Sequence, residues 1–221
     1  MIIWKQFRIL LLGLTFICIL VVLGNIILLS KVDQHDVAYF VFPEEIPLPT
    51  WQFSQSYFLP NLNKEYPELL AQKHYQYIQN NLSLDIEMYY LKDRNTPISL
   101  ENLTFTSSPP TVRKKEGIGY YGLGVEQQRA YLSACIHAQG SSTFTEEQFE
   151  QNQYLYQMQP QRLLPWLLNQ EPLQDRRCLW TRLSIPLKNG SSKEAYYILE
   201  KAWFSWYQWW QPRFPKHRSM S

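Results

Sequence analysis

Residues 118–137, IGYYGLGVEQQRAYLSACIH, contain two extended segments separated by a short polar connection. Residues 118–125 and 130–137 are the two segments, and residues 126–129 (EQQR) connect them. A four-residue connection suits a β-hairpin built on a type I turn. The glycines of the first segment weaken it as a strand unless another group packs closely on it. The pattern predicts an antiparallel hairpin, and without a Lys-Ser/Thr pair after the glycines it does not fit a phosphate-binding loop.

Alternating apolar and polar residues predict further strands on both sides of this hairpin. Residues 82–91 (LSLDIEMYYL) and 178–187 (CLWTRLSIPL) show this period of two, and residues 51–59 form a first extended segment. Residues 64–80 are ambiguous, because their first half favours a helix and their second half favours a strand. Residues 106–116 contain prolines and a cluster of basic residues, and they predict a polar loop. We interpret the basic cluster as solvated, with phosphate or lipid contact as the alternative.

Two helices are predicted from the residues at their N-termini. Thr145 and Gln148 form a capping box, in which the two side chains satisfy free backbone N–H groups, and it opens a helix over residues 145–158. A second capping box begins at Ser191 and opens a helix over residues 192–210, which is followed by prolines. The predicted fold class is therefore α+β: an antiparallel sheet with packed helices, preceded by a single N-terminal transmembrane helix.

The transmembrane helix is predicted from residues 9–29 (ILLLGLTFICILVVLGNIILL), a run without a charged side chain. As a helix the run reaches roughly 32 Å, enough to cross a hydrocarbon core of about 30 Å. Lys5 and Arg8 precede it, so the positive-inside rule predicts a cytoplasmic N-terminus and a periplasmic, extracytoplasmic domain at the plasma membrane. A cleaved signal peptide is the alternative, but its apolar core is usually only about 7–15 residues long.

The sequence thus predicts five consecutive parts of the chain. Residues 1–8 form a cytoplasmic segment, residues 9–29 the anchor, and residues 30–50 a solvated linker interrupted by prolines. Residues 51–215 form one extracytoplasmic α+β domain, and residues 216–221 form a basic tail.

The charge balance argues against nucleic acid as a partner. The chain contains 21 Lys and Arg residues and 19 Asp and Glu residues. Lys5 and Arg8 account for the whole excess, so residues 9–221 have no net formal charge. A nucleic-acid-binding domain needs a broad basic surface, which this composition does not supply.

Cys135 and Cys178 are the two cysteines outside the apolar run, and two alternatives stay open for them. They form a disulfide in an oxidising compartment, closing a loop of about 40 residues, or they are separate buried thiols. Two cysteines without a CxxC motif lack the spacing of a zinc site, and we expect no metal and no cofactor.

Cys135 and His137 are two residues apart and would share one face of a strand. A cysteine beside a histidine can form a thiolate nucleophile, so a thiol hydrolase or transferase is an alternative function. The sequence supplies no orienting Asn or Asp at a recognisable position. It also contains no GxSxG elbow, no HExxH motif and no phosphate-binding loop.

The C-terminal helix ends in the aromatic stretch WFSWYQWW, which allows two interpretations. The helix packs in a groove of the core, or its aromatic residues contact a partner or the membrane surface. Trp and Tyr are enriched at the membrane–water interface, which favours the second interpretation. The candidate interface residues are Trp203, Trp206, Tyr207, Trp209 and Trp210.

Three long stretches carry a resemblance to a known family: GIGYYGLGVEQQRAYLSACIHAQGSSTFTEEQF, RLLPWLLNQEPLQDRRCLWTRLSIPL and AWFSWYQWWQPRFP. In this order, with the N-terminal anchor, they resemble the cyanoexosortase A system-associated proteins of cyanobacteria. These proteins are related to the exopolysaccharide-linked exosortase accessory family. The broader family tends to carry a His-Pro-x-x-Cys-Leu-Pro type segment, and residues 133–138 (SACIHA) lack its prolines and its preceding histidine.

The resemblance implies a membrane-anchored, non-catalytic accessory protein beside an exosortase, a membrane enzyme that processes proteins bearing a C-terminal sorting tail. The implied setting is protein sorting or exopolysaccharide export, with an exosortase-type membrane enzyme and the membrane as partners. The resemblance carries over no catalytic residue. The alternatives are the thiol enzyme that uses Cys135 and His137, and a module that binds exopolysaccharide through exposed Trp and Tyr faces.

Overall fold

The computed structural model describes residues 2–29, 40–58, 69–92, 109–157, 159, 161, 175–187 and 191–215. The chain divides into two compact units, Met1–Val37 and Ala38–Ser221. The first unit contains helix α1 (Ile2–Leu29), which ends where predicted but begins before residue 9. Its portion Gln6–Gly24 is long and apolar enough to cross a bilayer and is not buried, although a signal sequence would meet the same criterion. The chain therefore has an N-terminal apolar helix that can anchor it in a membrane.

Within the described residues, the second unit is built on one antiparallel sheet of seven strands. In chain order the strands are β1 (Gln52–Tyr57), β2 (Leu69–Gln79), β3 (Leu82–Leu91), β4 (Thr111–Lys115), β5 (Gly119–Glu126), β6 (Arg129–Ile136) and β7 (Cys178–Pro186). Their order across the sheet is β1-β2-β3-β7-β6-β5-β4. The last strand lies between two three-stranded meanders and joins them into one sheet. Helices α2 (Glu146–Gln157) and α3 (Ser192–Trp210) complete the predicted α+β fold, which is confirmed.

Two hairpins have two-residue turns in which both residues are left-handed, as in type I′ turns. Asn80 and Asn81, with φ of 47° and 58°, join β2 to β3. Gln127 and Gln128, with φ of 46° and 60°, join β5 to β6. The residues that flank the second turn pair directly with each other, so the predicted four-residue type I connection is wrong. A type I′ turn matches the twist of the two strands that it joins. Glutamine is not among the residues that usually indicate such a turn, so the sequence did not predict it.

Two strands lie in segments for which the sequence predicted something else. Residues 69–79 of the ambiguous segment form β2, which pairs with β3 along most of its length. Residues 111–115 of the predicted polar loop form β4, an edge strand that pairs with β5. Every side chain of β4 is exposed, so no apolar alternation marked this strand in the sequence.

The glycine-rich strand β5 is tolerated because other groups pack against its backbone. A Cβ added to Gly122 would lie 2.5 Å from the ring of Phe144. A Cβ added to Gly119 would lie 2.3 Å from the carbonyl oxygen of Ser142. The close packing that a glycine-rich strand requires is therefore present at both positions.

Helix α3 packs on one face of the sheet, and the main core lies between them. Its buried residues follow one side of the helix: Ala195, Leu199, Ala202, Trp203, Trp206, Tyr207 and Trp210. The ring centre of Trp206 lies 5.4 Å from that of Tyr75 and 6.2 Å from that of Tyr77, both in edge-on contact. The opposite sheet face carries a smaller buried cluster of Leu69, Tyr89, Leu91, Cys135, Phe144, Cys178 and Trp180.

The two predicted capping boxes have different outcomes. At α2, the backbone N–H of Thr145 donates to Gln148 Oε1 at 3.0 Å, and the backbone N–H of Gln148 donates to Thr145 Oγ1 at 3.3 Å. This reciprocal pair confirms the first capping box. Helix α3 begins at Ser192 as predicted, but the side chain of Ser191 makes no capping hydrogen bond, so the second capping box is wrong. Burial of the apolar side of α3 against the sheet stabilises this helix without a side-chain cap.

Residues 40–50, predicted as part of a solvated linker, belong to the second unit, and we call them the docked segment. They have no regular secondary structure, in line with their prolines. Phe42, Ile46 and Leu48 nevertheless have exposed fractions of only 1%, 0% and 5%. The ordered part of the domain therefore starts before residue 51, and the linker prediction needs this correction. The three buried apolar residues are spaced among prolines and follow neither a helix period nor a strand period, so the sequence did not reveal that this segment packs on the domain.

Tyrosine hydroxyls of β2 hold the docked segment through its carbonyl groups. Tyr75 Oη donates to the carbonyl oxygen of Pro43 at 2.8 Å, and Tyr77 Oη donates to that of Ile46 at 2.7 Å. Burial raises the pKa of both tyrosines, so both hydroxyls keep the proton that they donate. The docked segment thereby forms a fixed wall beside α3.

Candidate functional site

An open groove of about 630 Å³ lies between the docked segment, β1 and the C-terminal part of α3. We call it the Trp209 groove. Its lining residues are Glu45, Ile46, Pro47, Leu48, Pro49, Trp51, Phe53, Tyr77, Ser205, Gln208, Trp209 and Arg213. The groove therefore combines aromatic rings and prolines with a few polar groups, which is the usual composition of a binding site.

Local backbone restrictions shape the wall that the docked segment provides. Pro47 and Pro49 each fix their own φ angle. Thr50 reverses the chain with a φ of 70°, and the backbone N–H of Trp51 donates to the carbonyl oxygen of Leu48 at 3.1 Å. This turn places Trp51, which is partly exposed, at the groove.

Trp209 forms part of the opposite wall and is held in one orientation. Its ring contacts the ring of Trp210 edge-on, with 4.9 Å between the ring centres. The guanidinium of Arg213 lies 4.7 Å from the centre of the Trp209 ring, and Arg213 Nη1 donates to the carbonyl oxygen of Trp209 at 2.9 Å. Tryptophan and arginine are enriched among the residues that dominate protein–protein binding. A partly exposed, fixed Trp209 is therefore suited to recognition.

Polar groups of both charge signs accompany these rings. Glu45, Gln208 and Arg213 line the groove with exposed side chains. They offer a carboxylate acceptor, an amide and a guanidinium donor beside the rings of Trp51 and Trp209. The groove is thus suited to a ligand or partner segment that has both apolar surface and hydrogen-bonding groups.

Only Trp209, of the five predicted interface residues, lies at the groove. The exposed fractions of Trp203, Trp206, Tyr207 and Trp210 are 0%, 0%, 5% and 1%. The prediction that these four side chains form an interface therefore needs correction. They pack in the core, on the side of α3 that faces the sheet. The aromatic residues do wrap around the helix, but the sequence alone did not show which side the sheet covers.

The structure joins Cys135 and Cys178 by a disulfide, with 5.7 Å between their Cα atoms. Cys135 lies on β6 opposite Trp180, and Cys178 begins the neighbouring strand β7. Both cysteines are fully buried. Of the two alternatives that the sequence left open, the structure has the bridge.

Cys135 and His137 lie together, as their spacing predicted. His137 Nδ1 is 3.5 Å from Cys135 Sγ, and His137 Nε2 is 2.7 Å from Thr143 Oγ1. The imidazole is 2% exposed, and its ring centre lies 5.0 Å from that of Phe149. Because the Cys135 sulfur is bonded to Cys178, it carries no thiol proton for the histidine to remove. Nucleophilic chemistry at this sulfur requires reduction of the bridge first.

Asp85 is the centre of a polar network on the sheet face opposite α3, which the sequence did not predict. Its Oδ1 lies 3.2 Å from His74 Nε2 and accepts a hydrogen bond from Gln76 at 3.2 Å. Its Oδ2 pairs with Arg129, which also donates to Ser184 Oγ at 2.9 Å. Burial raises the pKa of Asp85, but the hydrogen bond from His74 and the charge of Arg129 outweigh burial, so the pKa is lowered. The partners come from three other strands, and no spacing in the sequence relates them.

No group of three His, Cys, Asp or Glu side chains that could hold a metal ion occurs among the described residues. In comparisons with known proteins, no family model, no curated protein and no solved structure matches the chain.

Proposed function

We propose that this protein is a membrane-anchored, non-catalytic accessory protein that binds a membrane enzyme through the Trp209 groove. The observation that carries the proposal is the partly exposed Trp209, fixed beside Arg213 and facing a wall that contains Trp51. The resemblance of the sequence suggests the partner, an exosortase-type enzyme in protein sorting or exopolysaccharide export. In this proposal α1 stays in the plasma membrane with its N-terminus in the cytoplasm, and the domain is periplasmic.

The groove suits this role because both of its walls are ordered before a partner arrives. Pro47 and Pro49 restrict the docked segment, and the hydroxyls of Tyr75 and Tyr77 bind its carbonyl groups. Binding to a preorganised surface loses less conformational entropy than binding to a flexible one. A groove of this kind can therefore support specific binding through a small number of contacts.

Trp209→Ala should weaken capture of the partner enzyme about 30-fold, the effect of losing a strong aromatic contact of about 2 kcal/mol. Tyr197→Ala is the matched control, because it removes a ring that is 58% exposed on the same helix and does not line the groove. Both variants are made as full chains and captured from detergent extracts, and near-ultraviolet circular dichroism verifies that they fold. Unchanged capture by Trp209→Ala, or an equal loss in both variants, contradicts the proposal.

The same lining favours an exopolysaccharide as a second candidate ligand. Aromatic rings bind the C–H faces of sugars, and Glu45, Gln208 and Arg213 can hydrogen-bond sugar hydroxyls. In affinity electrophoresis through an exopolysaccharide gel, the full chain should be retarded and Trp209→Ala should run freely. Retardation without enzyme capture would favour the glycan over the enzyme as the occupant of the groove.

The thiol hydrolase or transferase remains an alternative proposal that depends on reduction of the bridge. Cys178→Ala leaves Cys135 as a thiol beside His137, whereas Cys135→Ser removes the sulfur in question. A catalytic thiol predicts activity in the first variant and none in the second. A structural bridge predicts the same loss in both variants.

The place of the protein in the proposed pathway is tested in a strain that lacks it. Mass spectrometry of the C-terminus of a sorting-tail substrate shows whether the tail is still removed. A retained tail supports a role in the cleavage step. Normal removal contradicts that role and favours a function in glycan assembly or export.

A further inference from the structure

Three consecutive cations line the β4 edge of the sheet, and each of them lies over an aromatic ring. The pairs, with the distance from the cation to the ring centre, are Arg113 over Tyr196 at 5.9 Å, Lys114 over Tyr120 at 5.0 Å and Lys115 over Phe204 at 5.6 Å. All three cationic side chains are exposed. Successive side chains of a strand point to opposite faces, so this edge is basic on both faces of the sheet.

Two of these cations are available for an external anion. Arg113 Nη1 pairs with Glu200 Oε1 at 2.9 Å, and Tyr121 Oη donates to the same carboxylate oxygen at 2.8 Å. Lys114 and Lys115 form no ion pair with any residue in the described part of the chain. The three cations outnumber the nearby carboxylates of Glu116 and Glu200, so the edge keeps a positive charge.

We propose that the β4 edge contacts anionic phospholipid headgroups of the membrane that holds α1. This inference rests on the proposed function, in which α1 stays in the membrane and keeps the domain near a lipid surface; Gln6–Gly24 is long and apolar enough for that. Lysine stems lie along apolar surfaces while their ammonium groups reach toward phosphate, and each lysine near an anionic bilayer adds attraction. Lys114 and Lys115 have this form, and Val112, which is 41% exposed, adds an apolar side chain to the same edge.

A simpler role for the same residues is protection of an edge strand. Lysines on an edge prevent strand pairing between copies, and that role needs no lipid. The two roles differ in their response to membrane composition. Lipid contact depends on anionic headgroups and weakens with salt, whereas edge protection is independent of the lipid.

The first test measures the rate at which acetylating reagent modifies individual lysines. The full chain is placed in nanodiscs of phosphatidylcholine alone or with one-third phosphatidylglycerol, and mass spectrometry follows each site. Lys114 and Lys115 should react several-fold more slowly in the anionic discs, and concentrated salt should restore their rates. Lys92 is the internal control, because it is exposed and follows β3, four strands away from β4. Equal rates in the two lipids, or equal slowing at Lys92, overturns the proposal.

The second test measures energy transfer from the tryptophans of the domain to a dansyl-labelled lipid headgroup. In anionic nanodiscs the doubly substituted chain Lys114→Gln/Lys115→Gln should dock on the membrane about 30-fold more weakly, because each lysine lost weakens docking about fivefold. The control Lys92→Gln/Lys193→Gln loses the same charge at other exposed positions and should behave like the native chain. Equal transfer in both variants overturns the proposal, even if Lys114→Gln/Lys115→Gln aggregates more readily.

Discussion

Replacing Cys178 with alanine should remove a large share of the stability of the domain. The bridge spans 43 residues of sequence, and the chain-entropy argument assigns about 4 kcal/mol to a loop of that size. Both cysteines are fully buried within the cluster that contains Trp180 and Phe144, so the lost sulfur also leaves a small cavity. Domains are stable by only about 5–15 kcal/mol. We therefore expect the free energy of unfolding to fall by about 4 kcal/mol.

Urea unfolding of the full chain in detergent, followed by tryptophan fluorescence, measures this loss. Trp180 and Trp206 are buried, so their emission changes when the domain unfolds. Cys18→Ala is the matched control, because Cys18 is a free and exposed cysteine on α1, and its midpoint should not move. Reduction of the native chain should reproduce the Cys178→Ala result. A loss below about 1 kcal/mol, or thiol labelling of Cys135 in the unreduced chain, would refute the reasoning.

Trp206→Ala should destabilise the domain by about 3–5 kcal/mol, and Trp209→Ala by about 1 kcal/mol or less, because only the first ring is buried; equal shifts of their urea midpoints would contradict this assignment. Gly122→Ala should lower the free energy of unfolding by about 1–3 kcal/mol, since its Cβ overlaps the Phe144 ring. Thermal unfolding measures that loss, and Phe144→Leu in the same chain should recover part of it. Asp85→Asn should flatten the acid side of the stability profile. The pKa of Asp85 is lowered in the fold, so its contribution is complete above about pH 4 and disappears as the pH falls through the folded value; an unchanged profile in urea unfolding across this range would refute it.

The parts of the fold that could be predicted from the sequence are those that local patterns determine. Residues 82–88 alternate between apolar and polar side chains, and residues 82–91 form β3 with the predicted bounds; residues 192–210 form α3 as predicted. Strand β2 was ambiguous because Leu69–Gln79 begins with good helix formers, and pairing with β3 overrides their propensity. The sequences of strand β4 and of the docked segment show no regular alternation of apolar and polar residues. Contacts with residues distant in sequence hold both segments in place.

The candidate site was predictable only in fragments for the same reason. The spacing of Cys135 and His137 placed them on one face, because strand geometry relates residues two apart. The WFSWYQWW stretch pointed to Trp209, but the sequence could not separate it from the ring of Trp206, which the sheet covers. Trp51 and Arg213 reach the same groove from opposite ends of the domain sequence, and no local pattern connects them.

The docked segment also changes how a mechanical pull on the chain would reach the sheet. If β1 were the first ordered element, tension on its N-terminal end would unzip an edge strand one hydrogen bond at a time. The chain instead enters through Phe42, which is buried, and through carbonyl groups held by Tyr75 and Tyr77. These contacts share a load before it reaches the edge. A pull on the N-terminal side of the domain therefore has to break several buried and hydrogen-bonded contacts before β1 is peeled from the sheet.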